Sequence, residues 1–363
     1  MVIKRPKLRV RPEAPGIEVK CKKKVLERLP SSRYQINFVR ECSVRKAGNR
    51  VRVTAQLIDS TTGGHVWADR FDRDLNDIFA VQDKLTREIV SALELRLTTD
   101  DQNRLAHKRT VDIEAYNLFL RGREQTWLHT KAGNIDARDL LGRALEIASD
   151  YAAASAYIAF SNVIDYVNGW SDDPELSLQT GLERARQAVE LDDEESGSHF
   201  ALAVACIWNR KLDQGLSEAH RCLALEPNSA EGHTAVAHAQ IFGGDPAAAI
   251  ERIDAYMKLN PLYPDLVLHF LAEAYISQRQ FELAVAALKQ RLERNPESAT
   301  SNTLLASCYG HLGQFAESRA AWRETLRIDP EFSLERRRRV LPFKNAADFE
   351  LRIEGLRKAG LQV

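Results

Sequence analysis

Residues 223–230 read LALEPNSA, 257–264 read MKLNPLYP, 292–299 read LERNPESA and 327–333 read RIDPEFS. Their prolines, Pro227, Pro261, Pro296 and Pro330, recur at intervals of 34, 35 and 34 residues. A further 34 residues upstream stands Asp193, in VELDDEES (189–196), the same junction without its proline. Each proline follows a Leu/Ile-rich helical stretch and stops it, because proline has no amide hydrogen and restricts the residue before it. The interior of each period repeats too. A small residue comes first: Ala203, Ala237, Ala272, Ala306. Just before it is an apolar one: Leu202, Val236, Leu271, Leu305. A second small residue follows at Gly215, Ala249, Ala284 and Ser318, and four positions later come Ala219, Ile253, Leu288 and Trp322. The spacing predicts pairs of antiparallel helices that approach closely at the small residues and stack at the larger ones. Gly243-Gly244, and Gly310 with Gly313, are expected where the two helices of a pair turn.

These residues resemble the tetratricopeptide-repeat family, whose period and small/large/proline pattern they follow. Four units are clear, at 196–229, 230–264, 265–298 and 299–332. Two more are degenerate, at 115–151 and 152–193, and the second carries an insertion of about ten residues around VNGWSDDP (167–174). The expected fold is mainly α: a repeat solenoid over 111–332, about six units with the first two degenerate, preceded by a small α/β module. NAADFELRIEGLRKAGLQV (345–363) is expected to close the solenoid, within a capping region at 333–363, with Leu351, Ile353 and Leu356 covering the last repeat. The four arginines Arg336 to Arg339 are expected in a solvated linker.

Upstream, residues 34–110 change period. Val51, Val53, Ala55 and Leu57 alternate with Arg52, Thr54 and Gln56, as in a half-buried strand. YQINFVRECSV (34–44) alternates as well, and Ala47-Gly48-Asn49 between them predicts a hairpin. DSTTGG (59–64) is a second turn and HVWAD (65–69) a short third strand. From Asp77, the 3–4 spacing of Ile78, Val81, Leu85, Ile89 and Ala92 predicts a helix. Asp69, Asp72, Asp74 and Asp77 read as a charged turn before that helix rather than a metal site. The head, residues 1–50, carries 15 Lys/Arg against 4 Asp/Glu, although the whole chain is neutral at +0. Residues 1–33 are expected to be a basic, disordered segment.

The run from Ser43 to Val90 resembles the segment between the catalytic domain and the repeats of class III adenylate cyclases of the rhizobial type. The same segment also follows winged-helix DNA-binding domains in some bacterial regulators. The resemblance extends to EGLRKAGL (354–361). Where such proteins carry an apolar residue and then Glu-Gly-Ser-Val, this chain has Arg40-Glu41-Cys42-Ser43-Val44, with Arg40 on the expected apolar face beside Phe38 and Cys42. The resemblance implies that a catalytic domain, with its two metal-binding carboxylates, would lie upstream. The 33 residues there contain no Asp, so the expectation is a truncated relative without its output domain.

No GxxxxGK[ST], GxSxG or HExxH occurs, and no catalytic residue, metal ligand or cofactor is expected. The five cysteines are scattered without a CxxC pair, as in a reducing compartment. No apolar run approaches a membrane span and no signal peptide is visible, so the cytoplasm is expected. His199 and His233 occupy equivalent repeat positions and read as packing residues.

The resemblance also implies where a partner would bind, since in this family the first helix of each pair lines a concave groove. The corresponding residues are Phe200, Val204 and Ile207; Glu231, Thr234, His238 and Ile241; Leu266, His269, Glu273 and Ile276; and Thr300, Thr303 and Ser307. They include no Lys, Arg or Asn, so a carboxylate clamp is not expected. An apolar or mildly basic segment, a helix or another part of the same chain, fits better. The expected activity is a non-catalytic scaffold for a protein or peptide, with a cyclase or regulator output domain among the candidates. Membrane and nucleic-acid partners are not expected. The alternatives are a cyclase subunit acting with a separate catalytic chain, and the sensor region of a DNA-linked regulator.

Overall fold

The computed structural model describes residues 17–19, 38–47, 50–59, 64–74, 84, 88, 111–260 and 263–361. The chain divides into two compact units, 1–113 and 114–363.

In the first unit, β1 (Ile17–Val19), β2 (Phe38–Ala47), β3 (Arg50–Asp59) and β4 (His65–Asp74) form an antiparallel sheet in the order β1-β2-β3-β4. The alternation in β3 does what the sequence pattern dictates. Val51, Val53, Ala55 and Leu57 are buried and Thr54 is exposed. Val51, Val53 and Phe71 form the core, with Trp67 packed against it. Two expectations change. The three-strand module has a fourth strand, since β1 pairs with the outer edge of β2 inside the basic segment where no element is predicted. An open edge of unpaired amides and carbonyls accepts such a strand. Asp69, Asp72 and Asp74 are not in a turn: β4 runs on to Asp74, because the register sets Asp72 opposite Arg52 and Asp74 opposite Arg50, and Asp77 lies outside the described residues. Asp72 accepts hydrogen bonds from Arg52 at 2.6 Å and Arg50 at 3.3 Å. The Arg52 bond, then the charges of Arg52, Arg50 and Arg70, hold its carboxyl below the ordinary range against the opposing effect of burial. Arg40 pairs with Leu57, on the core face of β3, but its side chain lies outside the described residues. So does most of the helix expected from Asp77. Lys84 and Glu88 are helical, and Lys84 Nζ stands 5.5 Å from the centre of the Phe71 ring.

The second unit contains fourteen helices among the described residues. They run in pairs: α1 (Ile113–Thr126) with α2 (Lys131–Ile147), α3 (Ala152–Asn168) with α4 (Pro174–Leu191), α5 (Ser196–Trp208) with α6 (Leu212–Leu225), α7 (Ala230–Gly243) with α8 (Pro246–Leu259), α9 (Leu266–Ser277) with α10 (Phe281–Arg294), and α11 (Ala299–His311) with α12 (Phe315–Ile328). α13 (Leu334–Val340) and α14 (Ala346–Lys358) follow. The chain is thus mainly α.

The repeated positions explain the stacking. Ala203, Ala237, Ala272 and Ala306 have no exposed surface at all. Opposite them, Gly215 lies so near α5 that a Cβ there would meet Ile207 Cγ1 at 2.6 Å. In the last pair the hydroxyl of Ser318 donates to Ala306 O at 2.7 Å. Ser229 and Ser298, just past two of the prolines, cap the next helices by accepting from Gly232 N and Ser301 N. The turns inside the pairs carry one left-handed residue each, and these too are periodic: Arg210, Gly244, Arg279 and Gly313, with φ of 59°, 93°, 58° and 73°. Glycine takes this conformation without the steric cost an arginine bears. Gly310 is not in the turn; it lies in the last helical turn of α11.

Candidate interaction groove and its occupant

The first helices of successive pairs, α3, α5, α7, α9 and α11, are mutual neighbours. Together they form an inner wall, as expected of stacked pairs. The chain does not leave that wall open. After α12 it returns to the second pair and then runs forward along the first helices.

The return starts at the arginine run. Arg336 Nη2 donates to Val167 O at 3.0 Å and Tyr166 O at 3.3 Å, and Arg337 Nη1 donates to Val167 O at 3.3 Å. These carbonyls end α3, whose negative dipole end favours a cation. The insertion around VNGWSDDP builds this acceptor: Gly169 caps α3 at φ 66°, and a Cβ there would lie 2.4 Å from Arg336 Cζ. At the next pair the donor comes from the wall, as Arg210 Nη2 reaches Arg339 O at 2.8 Å and Leu341 O at 3.2 Å. Then Lys344 N donates to Phe242 O at 2.9 Å, and the Phe343 ring meets the Phe242 ring edge-on at 4.8 Å. Val340, Leu341 and Phe343 are buried. The solvated linker expected at Arg336–Arg339 is therefore corrected. Arg338 and Arg339 are exposed, whereas Arg336 and Arg337 are half-buried on α3. Carbonyls at a helix end supplied the partners that the sequence does not reveal.

α14 then docks on α11. Leu351 and Leu356 join the core of the last two pairs. Ser307 Oγ donates to Arg352 O at 2.7 Å, and His311 Nε2 meets Leu351 O at 2.7 Å. The helices cross at two glycines. A Cβ on Gly310 would stand 1.7 Å from Gly355 O, and one on Gly355 would stand 2.2 Å from Ser307 O.

Between α9, α11 and the return lies a cavity of about 30 Å³, lined by His269, Glu273, Thr303, Ser307, Arg337 and Arg352 among others. Glu273 is 3% exposed and Arg352 4%. Burial raises the Glu273 carboxyl, opposed by the charges of Arg352, Arg337 and Arg291. Burial brings Arg337 down to about 10. His269 is driven well below its ordinary value by burial and then by Arg291. His238 falls to about 3, again by burial and then Arg337. It sits in an aromatic cluster, 4.3 Å from Phe242, 4.5 Å from Phe270 and 5.5 Å from Trp208.

The other predicted groove residues differ in their surroundings. His269, Glu273, Thr300, Thr303 and Ser307 line the cavity beneath the return. Ile207 and Ile276 face the partner helix of their own pair, Ile207 against Gly215 and Ile276 in one cluster with Ala284 and Leu288. Phe200 is covered by Phe160 and Trp127, at 5.0 and 6.3 Å. Val204 and Ile241 are buried, while Glu231, Thr234 and Leu266 are half-buried. Glu231 accepts from Tyr157 Oη at 2.6 Å. His199 and His233 hydrogen-bond the equivalent carbonyls of Asp193 and Pro227, at 2.9 and 3.1 Å. Arg210 and Gly355 were not singled out from the sequence, while Arg336 and Arg337 were read as part of a solvated run and Gly310 as a turn residue. The available signals were two glycines inside helical patterns, and a charged run bracketed by Leu334 and Val340-Leu341-Pro342-Phe343.

Among known families, the one described as "Tetratricopeptide repeat" matches residues 243–308. The helical unit around this match is an α-solenoid of stacked helix pairs. A curated protein of Rhizobium meliloti (strain 1021), named "Putative adenylate cyclase 3", is 42% identical over 179 residues. That match covers 49% of this chain and 30% of the relative, so the chain spans under a third of its length. A thermophilic repeat protein of Thermus thermophilus is 19% identical, with a TM-score of 0.44 over 53% of this chain and 98% of its own. The Cut9-Hcn1 hetero-tetramer of the APC/C is 15% identical, with a TM-score of 0.49 over 78% of this chain and 53% of its own. None of the described helices is long and apolar enough to cross a membrane.

Proposed function

We propose that this protein is a scaffold whose repeat groove holds a polypeptide segment, in the regulatory part of a cyclase-type system. One observation carries the reading. The inner wall already grips a stretch of chain chiefly through backbone carbonyls and guanidinium groups, the means by which a groove holds a peptide of limited sequence requirement. The Rhizobium meliloti relative supplies the cyclase association. The test uses the full-length chain with a photo-crosslinking amino acid either at Thr234, on the inner wall, or at Arg323, exposed on α12. On illumination in the source cell, Thr234 is expected to capture a partner protein and Arg323 none. The reverse distribution overturns the reading.

A second reading follows from the relative's name alone: the chain assists cyclic-AMP synthesis by a separate catalytic chain. Cyclic AMP measured with and without a co-expressed cyclase domain separates the two. A rise that depends on this chain supports the second.

A further inference from the structure

The segment between α12 and α14 differs from everything around it. It is neither a repeat nor a cap. Its one helix, α13, has seven residues, too few to be stable alone. Its polar anchors join residues far apart in sequence: Arg336 to α3 at a separation of 170, and Arg210 to the segment at 129 and 131. These bonds are exposed or partly buried. Each is a single charge-assisted bond to a backbone carbonyl. Its apolar anchors are Val340, Leu341 and Phe343. α14, by contrast, is fixed chiefly by the glycine crossing and by Leu351 and Leu356, and its side-chain links to the segment are the Arg338–Glu350 pair, the Arg338 guanidinium over Phe349 and the Arg352 guanidinium over Phe343. Residues 334–344 can therefore lift away while both flanking helices stay in place, a local opening of the kind proteins undergo well below global unfolding.

What lifts away would uncover a wall of defined chemistry. At one end are the Tyr166 and Val167 carbonyls ending α3, whose negative dipole end selects cations. Next is Arg210, which donates to a passing backbone. Beyond lies the Phe242 ring with its free carbonyl. The segment now seated there matches each in turn: paired arginines, the backbone at the C-terminal end of a short helix, then an aromatic. We propose that residues 334–344 are a built-in ligand of the repeat groove, and that a partner protein binds by displacing them with a segment of the same chemistry. That segment carries two adjacent basic residues followed, after an apolar pair, by an aromatic ring. The proposal rests on the scaffold reading and specifies its partner and its control.

The experiment uses the full-length protein and a fluorescent peptide of residues 332–345, FSLERRRRVLPFKN. Vacating the groove removes the competition that lowers apparent affinity. The Arg336→Ala/Arg337→Ala/Phe343→Ala protein is therefore expected to bind the peptide about tenfold more tightly, or better, than the native protein. A peptide with the same three alanines should bind neither. In the native protein, peptide above the segment's own effective concentration, about millimolar or more, should speed hydrogen exchange at amides 334–344 and leave those of α14 unchanged. Equal affinity of both proteins, or unaltered exchange at 334–344, overturns the proposal. If the triple variant loses its helical circular dichroism, the native-protein exchange measurement decides alone. The two readings fail differently. Peptide exchange without crosslinks from Thr234 removes the scaffold partner and keeps the built-in ligand. Crosslinks without peptide exchange do the opposite.

Discussion

The four regular pairs at 196–328 and the return at 333–358 are held by different physics. In the pairs, small residues with no exposed surface bring backbones together and the same contact recurs at each period. Every period tests the register afresh. In the return, each contact occurs once: a guanidinium on a helix end, a ring on a ring, two glycines at one crossing. The pairs are redundant and the return is not. A change in the return should therefore alter one local event, whereas a change in the pairs spreads along the stack.

The glycine crossing gives the largest expected effect. Gly310→Ala sets a Cβ against the backbone of Gly355, which cannot rotate aside. A loss of about 3 kcal/mol is expected, read from urea denaturation, with new proteolysis near α14. A stability equal to the native protein's would show that α14 shifts freely, and the contrast with the pairs would lapse.

Acid should act next. The His238 imidazole has its folded value at about 3, below the ordinary 6.5. A depressed value means that stability is held above pH 6.5 and lost as the pH falls from there toward 3. The loss should reach about 2 kcal/mol by pH 5. The denaturation midpoint of His238→Gln should fall less steeply over that range. Parallel curves for the two proteins would rule His238 out.

The left-handed turns compare pairs and return directly. Arg279→Gly relieves a strained turn and should stabilise by about 1 kcal/mol. Arg210→Gly relieves the same strain but loses the bonds to Arg339 O and Leu341 O, so its net change should be near zero. Equal gains at both sites would mean that Arg210 does not hold the return. Gly243→Ala should give the smallest effect, a gain of about 0.5 kcal/mol, because nothing lies within 4 Å of the added methyl. A loss there would point to an unrecognised contact on the inner wall.

The pairs were legible because their constraint is local and repeated. Ala203, Ala237, Ala272 and Ala306 lie 34 or 35 residues apart in any reading. The β-hairpin was legible for the same reason, since alternation in Val51–Leu57 needs no knowledge of the partner strand. The end of β4 was not, because Asp72 is polar until Arg52 is placed opposite it. The return was hidden more deeply. Four consecutive arginines look solvated unless the carbonyls of Tyr166 and Val167 are known to stand at the end of α3 beside them. Gly355 looks like a weak point in a helix unless Gly310 is known to meet it. Arg210 and Arg279 occupy left-handed turns whose period appears only once backbone angles are known.

The segment 334–344 is anchored on both sides, by α12 before it and α14 after it. Once released, it therefore stays within a short radius of its seat and competes as though dissolved there at about millimolar concentration. A free competitor at micromolar levels would need roughly a thousandfold stronger intrinsic hold to displace it. A rival brought into the same complex, and concentrated to a similar degree, would need no such advantage. Anchoring at both ends thus makes the groove answer to who is assembled beside it, and leaves it nearly deaf to similar segments passing in dilute solution.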